Sequence, residues 1–244
     1  MNTIHNWDAW LGTDEAGKGD YFGPLVVAAV YVDADCRETL RDLGIADGKT
    51  LSNRRIRDLA ESMHHRYEKR IVVVKRMPNA YNPLYNDFHK RGQNLNHLLA
   101  SLHAEAIHTL ATRVGAKHAL VDRFSKDDLI TQQLRQRMKG KPRLQQGPSV
   151  PFQGGISRGI HLGIEIIQVP KAERDIAVAA ASIIARDAFL KAMETLSEKY
   201  EICLPRGSYQ VVEAGKEFVA IHGSSALGNV AKLHFSLTDV VRAS

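Results

Sequence analysis

This sequence predicts an α/β fold, on three observations. Short β-branched runs such as Val26–Val32, Ile71–Val74 and Ile164–Val169 have the length and composition of strands. Longer stretches with apolar residues at helical spacing lie between them, above all Leu95–Val114. An acidic residue, Asp122, closes a further strand-like run, at the strand mouth where open α/β sheets usually carry their chemistry.

The chain turns on the stretch Gly12-Thr-Asp-Glu-Ala-Gly-Lys-Gly-Asp-Tyr-Phe-Gly-Pro-Leu25, which runs directly into Val26–Val32. Successive side chains of a strand point to opposite faces, so Asp14 and Glu15 do not share a pocket by strand geometry alone. At a strand end or bulge, however, both can reach a hard cation, and the flanking glycines let backbone amides approach a ligand. An ordinary turn is the competing reading. The spacing fits neither the dinucleotide fingerprint nor a phosphate-binding loop.

Asp35 to Asp47 reads as a polar connection, followed by a helix that Ser52 or Asn53 caps and whose buried stripe is Ile56, Leu59, Ala60 and Met63. Ile71–Val74 reads as a buried strand, and Pro78 to Asn86 as a loop rich in Asn, Tyr and Pro. In the helix Leu95–Val114 the apolar face is Leu95, Leu98, Leu99, Leu102, Ala106, Ile107 and Leu110. His97, His103 and His108 lack the spacing of a zinc helix and are assigned to the surface or to packing. Lys117–Asp122 reads as a strand, and Met138 to Gly155 as a basic, irregular segment that tracks a phosphate backbone or is simply a loop. Ala177–Ala185 is a small-residue helix, and either Glu173 or Asp175 falls in its first turn, where a carboxylate also suits the helix dipole. Leu204–Ser208 leads to a helix near Val212–His222, and the tail Ala231–Thr238 shows no chemistry of its own.

Composition narrows the function. With 44% hydrophobic and 25% charged residues this is a globular protein, and its formal net charge of +6 suits a polyanionic partner. Cys36 and Cys203 are far apart and form no C-x-x-C pair, which argues against a zinc knuckle and for a reducing compartment. No run approaches the roughly 18 apolar residues of a membrane span, and no secretory leader is evident. The expectation is one domain over residues 1–244, cytoplasmic, not associated with a membrane and monomeric.

The motif Asp14-Glu-Ala-Gly-Lys-Gly-Asp-Tyr-Phe-Gly-Pro-Leu25 resembles the signature of type 2 ribonucleases H, and its Gly-Lys-Gly resembles the ribonuclease HIII branch. Asp47-Gly-Lys-Thr-Leu51, Tyr81-Asn-Pro-Leu-Tyr85, Asn94–Ala100, Val121-Asp-Arg-Phe124, Lys171-Ala-Glu173 with Ala179–Arg186, Leu204-Pro-Arg-Gly207 and Ala231-Lys-Leu-His-Phe235 extend the likeness in order along nearly the whole chain. The resemblance implies a ribonuclease H-like α/β fold: a mixed central sheet flanked by helices, with a helical C-terminal region. It implies endonucleolytic hydrolysis of the RNA strand of RNA–DNA hybrids with Mg²⁺ or Mn²⁺, leaving 5′-phosphate and 3′-hydroxyl ends. Asp14, Glu15, Asp122 and Glu173 become the catalytic, metal-holding carboxylates, with Asp175 as the rival for the fourth place. Two ions about 4 Å apart would serve the attacking and leaving oxygens. Gly17, Lys18 and Gly19 fall to recognition of the 2′-hydroxyl, Lys49 to a phosphate or a site carboxylate, and Ser208 to a nucleic-acid contact. Only 13 residues precede Asp14, so the usual N-terminal substrate-binding domain is missing, and Lys139, Lys141 and Arg143 are candidates to compensate. Incision at single ribonucleotides in duplex DNA, as in the HII branch, and a non-catalytic hybrid-binding module are the alternatives.

Overall fold

The computed structural model describes residues 4–45, 51–137, 150–153, 156–161, 163–208 and 210–243. Its centre is a mixed seven-stranded sheet. In chain order the strands are β1 (Trp10–Ala16), β2 (Leu25–Val32), β3 (Ile71–Arg76), β4 (His118–Asp122), β5 (Val150–Gln153), β6 (Ile156–His161) and β7 (Ile164–Val169). They lie side by side as β3-β2-β1-β4-β7-β6-β5. The three central strands β1, β4 and β7 are parallel, and every other neighbour is antiparallel. All three parallel strands therefore end at the same edge of the sheet, which is where the site lies.

Helices cover both faces. They are α1 (Ala34–Asp42), α2 (Asn53–Tyr67), α3 (Pro78–Lys90), α4 (Leu95–Val114), α5 (Leu129–Arg137), α6 (Ile176–Tyr200), α7 (Val212–His222) and α8 (Leu237–Arg242). Alternation along each strand divides the apolar residues into two cores. Trp10, Val26, Ala28 and Val30 join the α1, α2 and α6 side, whereas Leu11, Leu25, Val27 and Ala29 join the α4 and α5 side. The alanine-rich start of α6 lies almost on the backbone of β1. A Cβ on Gly12 would stand 2.3 Å from the Ala177 carbonyl carbon and from the Val178 nitrogen, so no larger residue fits there.

Most expected elements are present. Ser52 caps α2 by accepting from the Arg55 amide, and Ile56, Leu59, Ala60 and Met63 are all buried. α4 spans Leu95–Val114, closed by Gly115 in the left-handed region at φ 71°.

The expected polar connection after residue 35 instead begins with α1, whose cap Asp33 accepts from the Cys36 amide; only Cys36 and Leu40 bury, too few to mark a stripe. The expected loop at Pro78 to Asn86 is helix α3. Pro78 sits at its first turn, where the missing N–H is not needed, and Pro83 is carried inside it. Tertiary anchors offset that proline: Tyr81 and Phe88 are buried, and the Asn82 side chain donates to the Gly228 and Ala231 carbonyls and accepts from Leu233 N–H. β3 is an edge strand, not a fully buried one, with Val73 turned outward. Of the irregular segment expected at Met138 to Gly155, residues 138–149, 154 and 155 lie outside the described residues, and Val150–Gln153 is strand β5.

Candidate active site

Three strand ends assemble the acidic cluster. Asp14 and Glu15 lie in the last turn of pleat of β1, and Asp122 is the final residue of β4. The parallel register sets Thr13 opposite Val121, which makes Asp14 and Asp122 neighbours across the two strands. Glu173 arrives just after β7, on a 3₁₀ turn, Ala172–Arg174, that follows a left-handed Lys171 at φ 58°. The Asp122 Oδ1 accepts from the Ala172 N–H at 3.1 Å, and the Arg123 N–H donates to the Val169 carbonyl at 3.0 Å. Those two bonds stitch the end of β4 to the turn that bears Glu173.

Strand alternation keeps Asp14 and Glu15 apart as β1 requires. Asp14 shares its side of the sheet with α6 and bonds to Ser182, while its Oδ1 also accepts from the Glu15 N–H at 2.9 Å. Glu15 faces α4. There its Oε2 lies 3.3 Å from Nε2 of His103, and its Oε1 lies 3.7 Å from Nζ of Lys18. His103 is fully buried, and its Nδ1 meets Thr13 Oγ1 at 2.8 Å. Phe124 stacks on the imidazole with centroids 5.3 Å apart, and the Lys18 ammonium lies 5.4 Å from the centre of the same ring.

The carboxylates feel one another. Burial, followed by the charges of Glu15 and Asp122, pushes Asp14 up to about 7. Burial also raises Asp122, with Glu173 and Glu15 adding to it against the Ala172 hydrogen bond. Burial opposes ionisation of Glu15 too, yet His103 and Lys18 outweigh it and hold that carboxyl below its usual range. Such a cluster stores repulsion that a hard cation relieves, and carboxylate oxygens are the donors Mg²⁺ and Mn²⁺ prefer. Among the described residues, no three His, Cys, Asp or Glu side chains already close around a single point. The donor chemistry of these carboxylates fits a divalent ion.

Asp175, the rival for the fourth carboxylate, is committed elsewhere. It is the N-cap of α6, accepting from the Ala177 and Val178 amides at 2.9 and 3.3 Å. It also accepts from the Trp10 indole at 3.0 Å and pairs with His5 at 3.2 Å.

The glycine-flanked turn leaves β1 beside this cluster. Gly17 adopts φ +85° and is packed so that a Cβ would meet the Pro24 carbonyl at 2.1 Å, whereas nothing lies within 4 Å of a Cβ on Gly19, which is exposed. The C-terminal region grips the residues that follow. Tyr21 N–H donates to the Gly207 carbonyl, Gly207 N–H donates to Asp20 Oδ1, and Gly23 N–H donates to the Val230 carbonyl. The buried Lys232 donates through Nζ to the carbonyls of Phe22 at 3.3 Å and Gly23 at 2.8 Å. Ser208 is half-buried and follows Gly207 of this clamp. Lys49, Lys139, Lys141 and Arg143 lie outside the described residues.

His103 and Lys232 escaped the sequence reading. For His103 a signal existed: it stands four residues after Leu99 and three before Ala106, on the apolar face of α4, where a polar ring needs partners. For Lys232 none did, because its acceptors lie about 210 residues earlier in the chain.

Comparison with known proteins adds to this geometry. A family model described as Ribonuclease HII matches residues 11–147 and 153–238. The chain is 37% identical to ribonuclease HIII of Protochlamydia amoebophila (strain UWE25), over 95% of this chain and 67% of that protein. It is 35% identical to ribonuclease HIII of Geobacillus sp. (strain WCH70), over 94% and 69%. Among solved structures, Bst-RNase HIII in complex with Mn²⁺ superposes with a TM-score of 0.78 at 30% identity, covering 96% of this chain and 69% of that one. The ribonuclease H2 of Pyrococcus horikoshii OT3 shares the fold, with a TM-score of 0.73 at 21% identity over 96% and 97%. The chain thus spans about two thirds of the length of the ribonuclease HIII relatives it matches.

Proposed function

Since this chain belongs to the ribonuclease HII family, on its ribonuclease HIII side, and is a ribonuclease H-type enzyme, we propose that it hydrolyses the RNA strand of RNA–DNA hybrids endonucleolytically, using Mg²⁺ or Mn²⁺ and leaving 5′-phosphate and 3′-hydroxyl ends. The observation that carries this reading is the gathering of Asp14, Glu15, Asp122 and Glu173 at one sheet edge, with Asp14 pushed up to about 7 by burial and by its acidic neighbours.

In this reading those four carboxylates hold the divalent ion, and Asp175 is a structural cap. When bound, the ion supplies charge neutralisation at the scissile phosphoryl oxygens and a water acidic enough to attack at neutral pH. The chain contributes the rest. Asp122, tied to the Ala172 amide, and Glu15, held by His103 and Lys18, are oriented before substrate arrives. The exposed backbone of Gly19 is open to a sugar 2′-hydroxyl, the group that distinguishes RNA from DNA. Lys18 neighbours it and supplies positive charge toward a phosphate, and Ser208 borders the same loop. Lys49 and the basic residues 139, 141 and 143 are further contacts on this proposal. Substrate attraction is largely electrostatic for a chain of net charge +6, so affinity for hybrid is modest and drops steeply, by an order of magnitude or more, between low and moderate salt.

The test is cleavage of a labelled RNA strand paired with DNA, with Mg²⁺ and separately with Mn²⁺, for the wild type and Asp122→Asn. Metal-dependent cutting that falls about 100-fold or more in the variant supports the reading. Wild-type protein that binds hybrid but cuts with neither metal overturns it. Preferential cutting of a duplex bearing one ribonucleotide would move the substrate to the HII type.

A further inference from the structure

Glu15 has an unusual foundation. Asp14, which bonds to Ser182, shares its side of the sheet with Asp122, whereas Glu15 at the same sheet edge projects to the α4 side. A carboxylate on that side needs its own support if it is to act with the others. Lys18 is a loose one, a third exposed and 3.7 Å away. The firm one is the imidazole of His103.

We propose that His103 is a positioning residue: its ring, fixed between Thr13 and Phe124, holds the Glu15 carboxylate in the orientation that a divalent ion requires. This rests on the reading of Glu15 as a metal-holding carboxylate. An ionised carboxylate only accepts, so Nε2 of His103 carries the hydrogen that joins the two at 3.3 Å. The Thr13 hydroxyl, which donates or accepts, completes Nδ1 at 2.8 Å and fixes the ring plane. Thr13 and Glu15 are two residues apart on β1 and therefore on one face, so a single ring spans both. Phe124, two residues after Asp122, stacks on the ring at an interplanar angle of 23° and ties it to β4. A histidine that only filled space would not need both nitrogens committed to one strand, one of them to an acidic side chain at the sheet edge.

Ligand carboxylates commonly depend on such hydrogen-bond partners, whose loss costs about 10–100-fold in metal affinity or activity. The experiment compares wild type, His103→Leu, His103→Gln and Thr13→Val. It reads Mn²⁺ binding without substrate by calorimetry, kcat and KM on an RNA–DNA hybrid, and thermal midpoint. Expected is an Mn²⁺ affinity lowered about 10–100-fold in His103→Leu, with kcat falling and the KM for hybrid changed less than about 3-fold. His103→Gln, which keeps a nitrogen donor toward Glu15, restores most of the affinity, and Thr13→Val shows a smaller loss in the same direction. If His103→Leu fails to fold, the Thr13→Val values decide. Mn²⁺ affinity and kcat equal to wild type in His103→Leu, or in Thr13→Val where His103→Leu does not fold, or a lowered thermal midpoint alone, overturn the proposal. A wild type that itself neither binds Mn²⁺ nor cuts overturns the functional reading beneath it, a different result from unaffected variants of an active enzyme.

Discussion

Two acidic residues two positions apart, Glu173 and Asp175, make a sharp test of site against scaffold. Asp175 caps α6 and accepts from Trp10, so Asp175→Ala lowers stability by about 2–3 kcal/mol in denaturant unfolding while cleavage well below the transition stays within a few-fold of wild type. Glu173→Gln does the reverse, with an unfolding midpoint near that of wild type and cutting reduced about 100-fold. Loss of activity with Asp175→Ala and not with Glu173→Gln would exchange their roles. Gly12→Ala probes the same junction from below: its methyl meets α6 backbone that cannot yield, so unfolding shows a loss of about 3 kcal/mol or more. At this scale the pair Asp14 and Glu15 stood out because two adjacent carboxylates before a glycine turn are oddly placed, whereas Asp122 at its strand end read equally well as an ordinary turn residue. The residues themselves left the choice between 173 and 175 open, since capping and metal holding ask for the same side chain near a helix start.

Among the elements, α3 shows what local rules miss. Two prolines and two asparagines in its first half predict a loop, yet Asn82 supplies three hydrogen bonds to the segment 228–233 and turns the stretch into a strut. Asn82→Ala therefore costs about 3 kcal/mol and loosens the C-terminal segment, read as faster amide exchange at residues 228–233. Unchanged exchange there would mean that α3 stands without this tie. Periodic stripes were legible, in the cap and buried face of α2 and in the bounds of α4, as was β7 with its continuous apolar run. Short α1 and proline-bearing α3 were not, because what stabilises them lies in distant parts of the chain.

For the molecule as a whole, the clamp on the signature loop brings a pH dependence with it. Burial lowers the Lys232 ammonium to about 7, and Asp20 opposes this only in part. Between about 7 and the ordinary lysine value of about 10.4, the unfolded chain holds a proton that the folded chain lacks. Stability therefore rises with pH across that window, by a few kcal/mol, and the gain is lost again as pH falls to about 7. Lys232→Met flattens this slope in unfolding curves measured between pH 7 and 10; an identical slope in the variant would place its origin elsewhere. The same clamp also sets an order in time. Asp20, Phe22 and Gly23 are made first, and their partners Gly207 and Lys232 follow 187 to 210 residues later. Contacts that close such long loops form late and slowly. A chain refolding from denaturant thus regains its helical signal well before this clamp closes, and a nascent copy that already carries Asp14 and Glu15 waits for the last of the clamp's partners, 210 residues beyond Phe22, before the loop beside them is held.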